Sequence, residues 1–184
     1  MKKQEIRQFY KQKRRELTEL ERETASLEIY NRVVQYVDFT NKKVSIFLPI
    51  ERFYEINTWH FLNELKTTHF YLPVVKSADE LVHIGYDNPS QIEVSQWGIP
   101  EPISGIESDP SLFDVVLVPL LAIDRKGYRV GYGKGFYDQF LSQCSSKCKF
   151  IGLSYFDPID QVFDLHEGDV PLHVCITPSQ VHTF

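Results

Sequence analysis

Between positions 129 and 138 the chain reads Arg129-Val130-Gly131-Tyr132-Gly133-Lys134-Gly135-Phe136-Tyr137-Asp138. Three glycines alternate over five positions, which is costly in chain entropy unless the backbone needs them. Glycine admits positive φ and lets backbone N–H groups approach an anion without side-chain obstruction. A helix beginning near Gly135 would add its free N–H groups and the positive end of its dipole. Arg129 and Lys134 bracket the loop with two fixed cations. These features suit the oxygens of a polyphosphate. A tight glycine turn that merely joins a strand to a helix is the plainer alternative and stays open on local composition. The common nucleotide signatures are absent: Lys134 is followed by Gly135 where a P-loop needs Ser or Thr, and Phe136 stands where a dinucleotide fingerprint needs glycine.

The loop must be held by the elements around it. Val115-Val116-Leu117-Val118, closed by Pro119, is a continuous branched apolar run that predicts a parallel strand covered on both faces. The glycine loop follows it closely, and ligands of open α/β sheets bind beyond the carboxyl ends of strands. Upstream, the spacing of Ile6, Tyr10, Lys13 and Leu17 predicts an amphipathic helix over 2–17. Thr18 and Glu21 form a capping box that starts a second helix running to about Val37. Strands are predicted at Val44–Leu48, His69–Val75, Leu81–Tyr86, Phe150–Leu153 and, last, Val174–Thr177. Helices are predicted from Thr58 to Leu65, capped by Asn57 or Thr58, and over Gly135–Leu141. Asn88–Pro102 reads as a long connection. Strands alternating with helices imply an α/β class, a mainly parallel sheet between helical layers.

The 184 residues fit one domain, 1–184, and no repeat or linker interrupts them. A formal net charge of −5 argues against a general nucleic-acid or anionic-membrane binder. There is no signal-peptide pattern and no apolar run long enough for a transmembrane helix, so the expectation is a cytoplasmic protein with no membrane partner. Cys144, Cys148 and Cys175 are odd in number and lack a histidine nearby in sequence, so they read as reduced thiols rather than a disulfide framework or zinc set. The histidines show no metal-ligand spacing.

The stretch Val118-Pro119-Leu120-Leu121-Ala122-Ile123-Asp124, a glycine at 127, and Arg129 to Asp138 resemble the signature of the 5-formyltetrahydrofolate cyclo-ligase family. Other segments match in order: Lys3-Gln4-Glu5-Ile6-Arg7 with Arg14 or Arg15, Glu55-Ile56-Asn57-Thr58, Gly98-Ile99-Pro100-Glu101-Pro102 and Glu167-Gly168-Asp169. The resemblance implies a three-layer α/β/α sandwich, similar to the fold of sugar-phosphate isomerases and CoA transferases. It also implies an ATP- and Mg²⁺-dependent cyclisation of 5-formyltetrahydrofolate to 5,10-methenyltetrahydrofolate with release of ADP and phosphate.

By the same resemblance, ATP is held by Lys3, Arg7 and the run Arg129, Val130, Gly131, Tyr132, Gly133, Lys134, Gly135, Phe136 and Tyr137. Lys134 and Arg129 stabilise the moving phosphoryl group. Asp138 and Asp169 match the magnesium positions. Leu48, Glu55, Tyr132 and Phe136 match the folate side, and Trp97 is a further candidate there. Phe136 stands where relatives often carry tyrosine, and the segment from Leu48 to Glu55 is longer than in some of them. The expected state is a monomer or weak dimer. Two alternatives are kept: another ATP-dependent small-molecule ligase or kinase on this scaffold, and a non-catalytic folate-binding protein.

Overall fold

The computed structural model describes residues 1–77, 80–95 and 98–184; Trp97 lies outside them. Two helices come first, α1 (Lys3–Glu16) and α2 (Glu19–Tyr36), broken at Leu17. The capping box at that break is present, with the Glu21 N–H donating to Thr18 Oγ1 at 3.2 Å and the Thr18 N–H donating to Glu21 Oε2 at 2.7 Å. There follow β1 (Lys43–Ser45), a 3₁₀ turn (Glu51–Phe53), α3 (Trp59–Glu64), β2 (His69–Val75) and β3 (Leu81–Gly85). Next are β4 (Ile92–Val94), β5 (Pro100–Pro102), β6 (Val115–Pro119), β7 (Ala122–Ile123) and β8 (Arg129–Val130). The chain closes with α4 (Phe136–Gln143), β9 (Lys149–Leu153), β10 (Val174–Ile176) and β11 (Val181–Thr183).

Among the described residues, seven strands form one sheet in the order β11-β10-β9-β6-β1-β2-β3. The five inner strands run parallel, and β3 and β11 pair antiparallel at the two edges. Strand β6 shows how the layers arise. Its Val115 and Leu117 face one core with Ile29 and Val33 of α2 and Phe61 and Leu62 of α3. Its Val116 and Val118 face the other, with Phe140 and Leu141 of α4. This is the period-two alternation of a strand buried on both sides, so the three-layer α/β/α expectation holds.

Several boundaries differ from the sequence reading. Strand β1 stops at Ser45 rather than Leu48; Ile46–Leu48 leave the ladder but stay buried. Of the two expected caps of α3, Thr58 takes the cap position with its hydroxyl donating to the Phe47 carbonyl, and Asn57 Oδ1 accepts from the Trp59 N–H at 3.2 Å. The connection 88–102 contains the antiparallel pair β4–β5. The hairpin β7–β8 and the edge strand β11 lie where no strand was expected. Residues this few give too short a pattern to register as periodicity. No helix among the described residues is long and apolar enough to cross a membrane.

One buried group off the main site sets an acid limit. His83 in β3 is 1% exposed, stacks on Phe140 at 3.9 Å, and its Nε2 has no hydrogen-bond partner among the described residues. Burial pushes its pKa down from 6.5 to about 3. The folded state therefore binds fewer protons than the unfolded chain between those values. The stability this neutral ring confers is complete above pH 6.5 and is lost as pH falls toward 3, by about 1.4 kcal/mol per unit. Urea midpoints of His83→Phe should fall less between pH 7 and pH 4.5 than those of the unmodified protein.

Candidate functional site

The site is built on the hairpin that β6 feeds. Asp124 is fully buried at its turn. Its Oδ1 accepts the Lys126 and Tyr128 N–H groups at 2.9 and 3.0 Å, and its Oδ2 accepts the Val162 N–H at 3.1 Å. The carboxylate thus shapes the turn and ties it to the 159–162 segment. Gly127 completes the turn at φ +84°, where a Cβ would lie 2.6 Å from the Leu172 carbonyl oxygen. Sequence reasoning passed over Asp124 as a motif letter; the Asp-x-x-Gly spacing of a turn was the available signal.

Helix α1 lies across this hairpin. Ile6 and Tyr10 pack with Leu121, Ala122, Val130 and Val162, which brings the polar side of the helix over the glycine loop. Arg7 Nε donates to the Gly131 carbonyl at 3.0 Å. Its guanidinium covers Gly133, which has φ +100°, so closely that a Cβ there would lie 3.2 Å from Arg7 Cζ. Lys3 is ion-paired with Asp169. Arg7 therefore covers the loop, while Lys3 is engaged with Asp169. Val130 itself is fully buried, so only its backbone borders the site.

Two charged clusters flank the loop. In the first, Arg129, 9% exposed, donates from Nη1 to the Val170 carbonyl at 2.7 Å, and its Nη2 lies 2.8 Å from Asp138 Oδ1. Asp138 Oδ1 also accepts the Val170 N–H at 3.0 Å. Burial lowers the Arg129 pKa, while Asp138, Tyr137 and Asp169 oppose that shift. Burial would raise the Asp169 carboxyl, but Lys3, the His166 N–H and Arg129 outweigh it and hold it below the usual carboxylate range. Thus Asp138 and Asp169, the expected magnesium residues, share one neighbourhood around Arg129.

In the second cluster, Glu55 accepts the Tyr132 hydroxyl at 2.6 Å through Oε1 and the Ile50 N–H at 2.9 Å through Oε2. Arg14, 3% exposed, donates to the Tyr132 hydroxyl at 3.1 Å. Burial raises the Glu55 carboxyl, and Tyr132, Arg14 and the Ile50 N–H pull against that rise. Tyr137 joins the clusters. Its phenol is raised by burial and by the Glu55 charge and lowered by Arg129, so it lies within the field of both.

Other expected residues fall differently. Leu48 is 5% exposed and belongs to the α2–α3 core, which leaves little of it for a ligand. Phe136 lines a surface cleft with Leu81, His83 and Phe140. Tyr132 stacks on Phe53, at 4.7 Å and 25°, rather than on Phe136. The longer 49–54 segment supplies that phenylalanine. Lys134 is exposed and makes no hydrogen bond or ion pair among the described residues. The thiols of Cys144, Cys148 and Cys175 are free, as expected.

The arrangement contains its own indications of a ligand. The Tyr137 hydroxyl is buried without a hydrogen-bond acceptor among the described residues, a condition that ordinarily costs about 1–3 kcal/mol. No side chain caps the start of α4, so its first-turn N–H groups also lack a side-chain acceptor there. All are donors, which fits an anionic oxygen-rich ligand. The two carboxylates of Asp138 and Asp169 are hard oxygen donors, and they fit Mg²⁺ held jointly with phosphates rather than in an all-protein cage.

Comparison with known proteins places the chain among its relatives. The model of the 5-formyltetrahydrofolate cyclo-ligase family matches residues 1–178. The 5-formyltetrahydrofolate cyclo-ligase of Escherichia coli is 28% identical over 179 residues, covering 93% of this chain and 97% of that protein. The enzyme of the same name from Haemophilus influenzae is 27% identical over 179 residues, covering 93% and 95%. The Aquifex aeolicus 5,10-methenyltetrahydrofolate synthetase structure superposes with a TM-score of 0.85 at 31% identity, covering 100% of this chain and 93% of that one. With a match to the family model across residues 1–178 and a shared fold, the chain belongs to the 5-formyltetrahydrofolate cyclo-ligase family.

Proposed function

We propose that the chain catalyses the ATP- and Mg²⁺-dependent cyclisation of 5-formyltetrahydrofolate to 5,10-methenyltetrahydrofolate, releasing ADP and phosphate. The observation that carries this reading is the buried Tyr137 hydroxyl, without an acceptor among the described residues, in the field of both Glu55 and the Arg129–Asp138 pair of a cyclo-ligase-family chain. A formamide oxygen is a poor leaving group. Transfer of the γ-phosphoryl group to that oxygen lets it depart as phosphate when N10 attacks the formyl carbon and closes the ring. The protein then needs to position two substrates and stabilise charge.

The residues divide that work. The loop Gly131–Gly135 and the start of α4 offer N–H groups to the phosphates, with Lys3 and Arg7 covering them from α1. Arg129 is held rigidly by Asp138 and Val170 and presents a fixed positive charge. Lys134, exposed at the loop tip, follows the transferring group. Asp138 and Asp169 would hold Mg²⁺, which neutralises phosphate charge when bound. Glu55 would receive the N–H donors of the pterin edge. The working unit is the single 1–184 domain, a cytoplasmic monomer or weak dimer.

A direct assay tests the reading. With ATP, Mg²⁺ and 5-formyltetrahydrofolate together, ADP and the methenyl product should appear in equal amounts, and omitting the folate should stop ADP formation. ADP release indifferent to the folate would favour a different ATP-dependent activity. Folate binding with no nucleotide cleavage would favour a non-catalytic binder.

A further inference from the structure

Both Glu55 carboxylate oxygens accept a hydrogen bond in this structure, and the group on Oε1 comes from the glycine loop itself. The Tyr132 hydroxyl donates to it at 2.6 Å, while Arg14 donates to that hydroxyl at 3.1 Å and the ring lies flat on Phe53 at 4.7 Å. The Lys11 ammonium is 5.7 Å from the Tyr132 ring centroid and 5.9 Å from that of Phe53. A flat ring carrying an O–H donor thus occupies the carboxylate through the same kind of contact that a pterin edge, a flat ring carrying N–H donors, would make. A ligand edge approaching Oε1 along the line the hydroxyl now takes would have to displace it.

We propose that Tyr132 is a built-in occupant of the Glu55 carboxylate, a specificity gate that a flat, donor-edged heterocycle must displace. The inference rests on the folate reading above and adds a role to Tyr132 that its place in the phosphate loop does not imply. The backbone permits the motion, because Tyr132 is flanked by Gly131, whose Cβ position is open space, and by Gly133 at φ +100°. Displacement also has a defined electrostatic result. The Arg14 guanidinium, buried and with Nε already lacking an acceptor, would lose the hydroxyl that separates it from Glu55. A ligand with donors alone would leave Arg14 Nη1 and Nε without acceptors, while Nη2 stays on the Leu120 carbonyl. A ligand offering donors to Glu55 and an acceptor to Arg14 would satisfy both, so the gate selects for a heterocyclic edge with mixed donors and acceptors. Because the gate closes on Glu55 in the unliganded protein, the apparent affinity is reduced by the fraction of time it is shut.

The test compares binding of 5-formyltetrahydrofolate to the unmodified protein and to Tyr132→Phe by titration calorimetry, without nucleotide. Phenylalanine keeps the ring on Phe53 and removes only the hydroxyl, and thermal melting checks that the variant is folded. The expected result is a Kd for the folate about tenfold lower in the variant, since a competing hydrogen bond to a charged group is gone. In stopped-flow mixing, the association rate of the unmodified protein should saturate with folate concentration at the opening rate, and that of the variant should saturate later or not at all. Equal or weaker folate binding by Tyr132→Phe overturns the gate alone, weaker binding meaning that the hydroxyl contacts the ligand. Absence of folate binding by the unmodified protein overturns both the gate and the folate reading beneath it.

Discussion

Replacing Lys134 with alanine should lower kcat by about 10³-fold while the protein melts at its original temperature. Its ammonium is exposed at the tip of the glycine loop and makes no hydrogen bond or ion pair among the described residues, so the fold loses nothing with it. In phosphoryl transfer, by contrast, one well-placed cation on the moving group commonly contributes about 10²- to 10⁵-fold. The folate Kd should stay within about twofold, because Glu55 and Tyr132 lie in the other cluster and surface substitutions of this kind rarely propagate. Steady-state kinetics with both substrates, beside a melting curve, checks the result. A variant retaining a tenth of the original kcat would remove Lys134 from the chemical step.

Asp124→Ala should do the opposite. Its carboxylate is fully buried and accepts three backbone N–H groups that the alanine cannot serve. Losing them costs about 1–3 kcal/mol per group left unsatisfied, and a total near 4 kcal/mol would lower the melting temperature by roughly 10 °C in a chain of this size. The turn that positions β8 and Arg129 would loosen, so activity should fall in step with the folded fraction and recover on cooling. Asp124→Asn keeps an acceptor at Oδ1 and should lose less than half as much. Asp124 and Lys134 stand in the same signature, and these paired outcomes separate the residue that shapes the loop from the one that acts on the ligand.

How much of this was legible in the sequence depended on the length over which each pattern ran. Helices α1 and α2 were readable because each repeats an apolar residue over several turns, and their boundaries came within a residue or two. Strand β6 was readable because an unbroken run of branched apolar residues ending at a proline fits little besides a strand buried on both faces. The hairpin β7–β8 was not, since each strand has two residues and its stability comes from Asp124 and from α1 packing on it. The site divided in the same way. Spacing alone pointed to a phosphate loop with Arg129 and Lys134, and the family resemblance supplied Glu55, Asp138 and Asp169. Neither could reveal that Arg129 and Asp138 are already paired, that Leu48 is core, or that Tyr132 turns away from Phe136 and onto Glu55. Those are facts of side-chain direction, settled by tertiary packing between segments far apart in the chain.

The contact between Lys3 and Asp169 joins positions 166 residues apart. During translation, α1 emerges from the ribosome with Ile6 and Tyr10 exposed, long before the hairpin that covers them exists. Closure of so long a loop is entropically unfavourable and belongs to the last stages of folding. A refolding population should therefore regain its central sheet before it regains turnover, and partial synthesis should yield chains whose first helix is sticky and whose pocket lacks a wall.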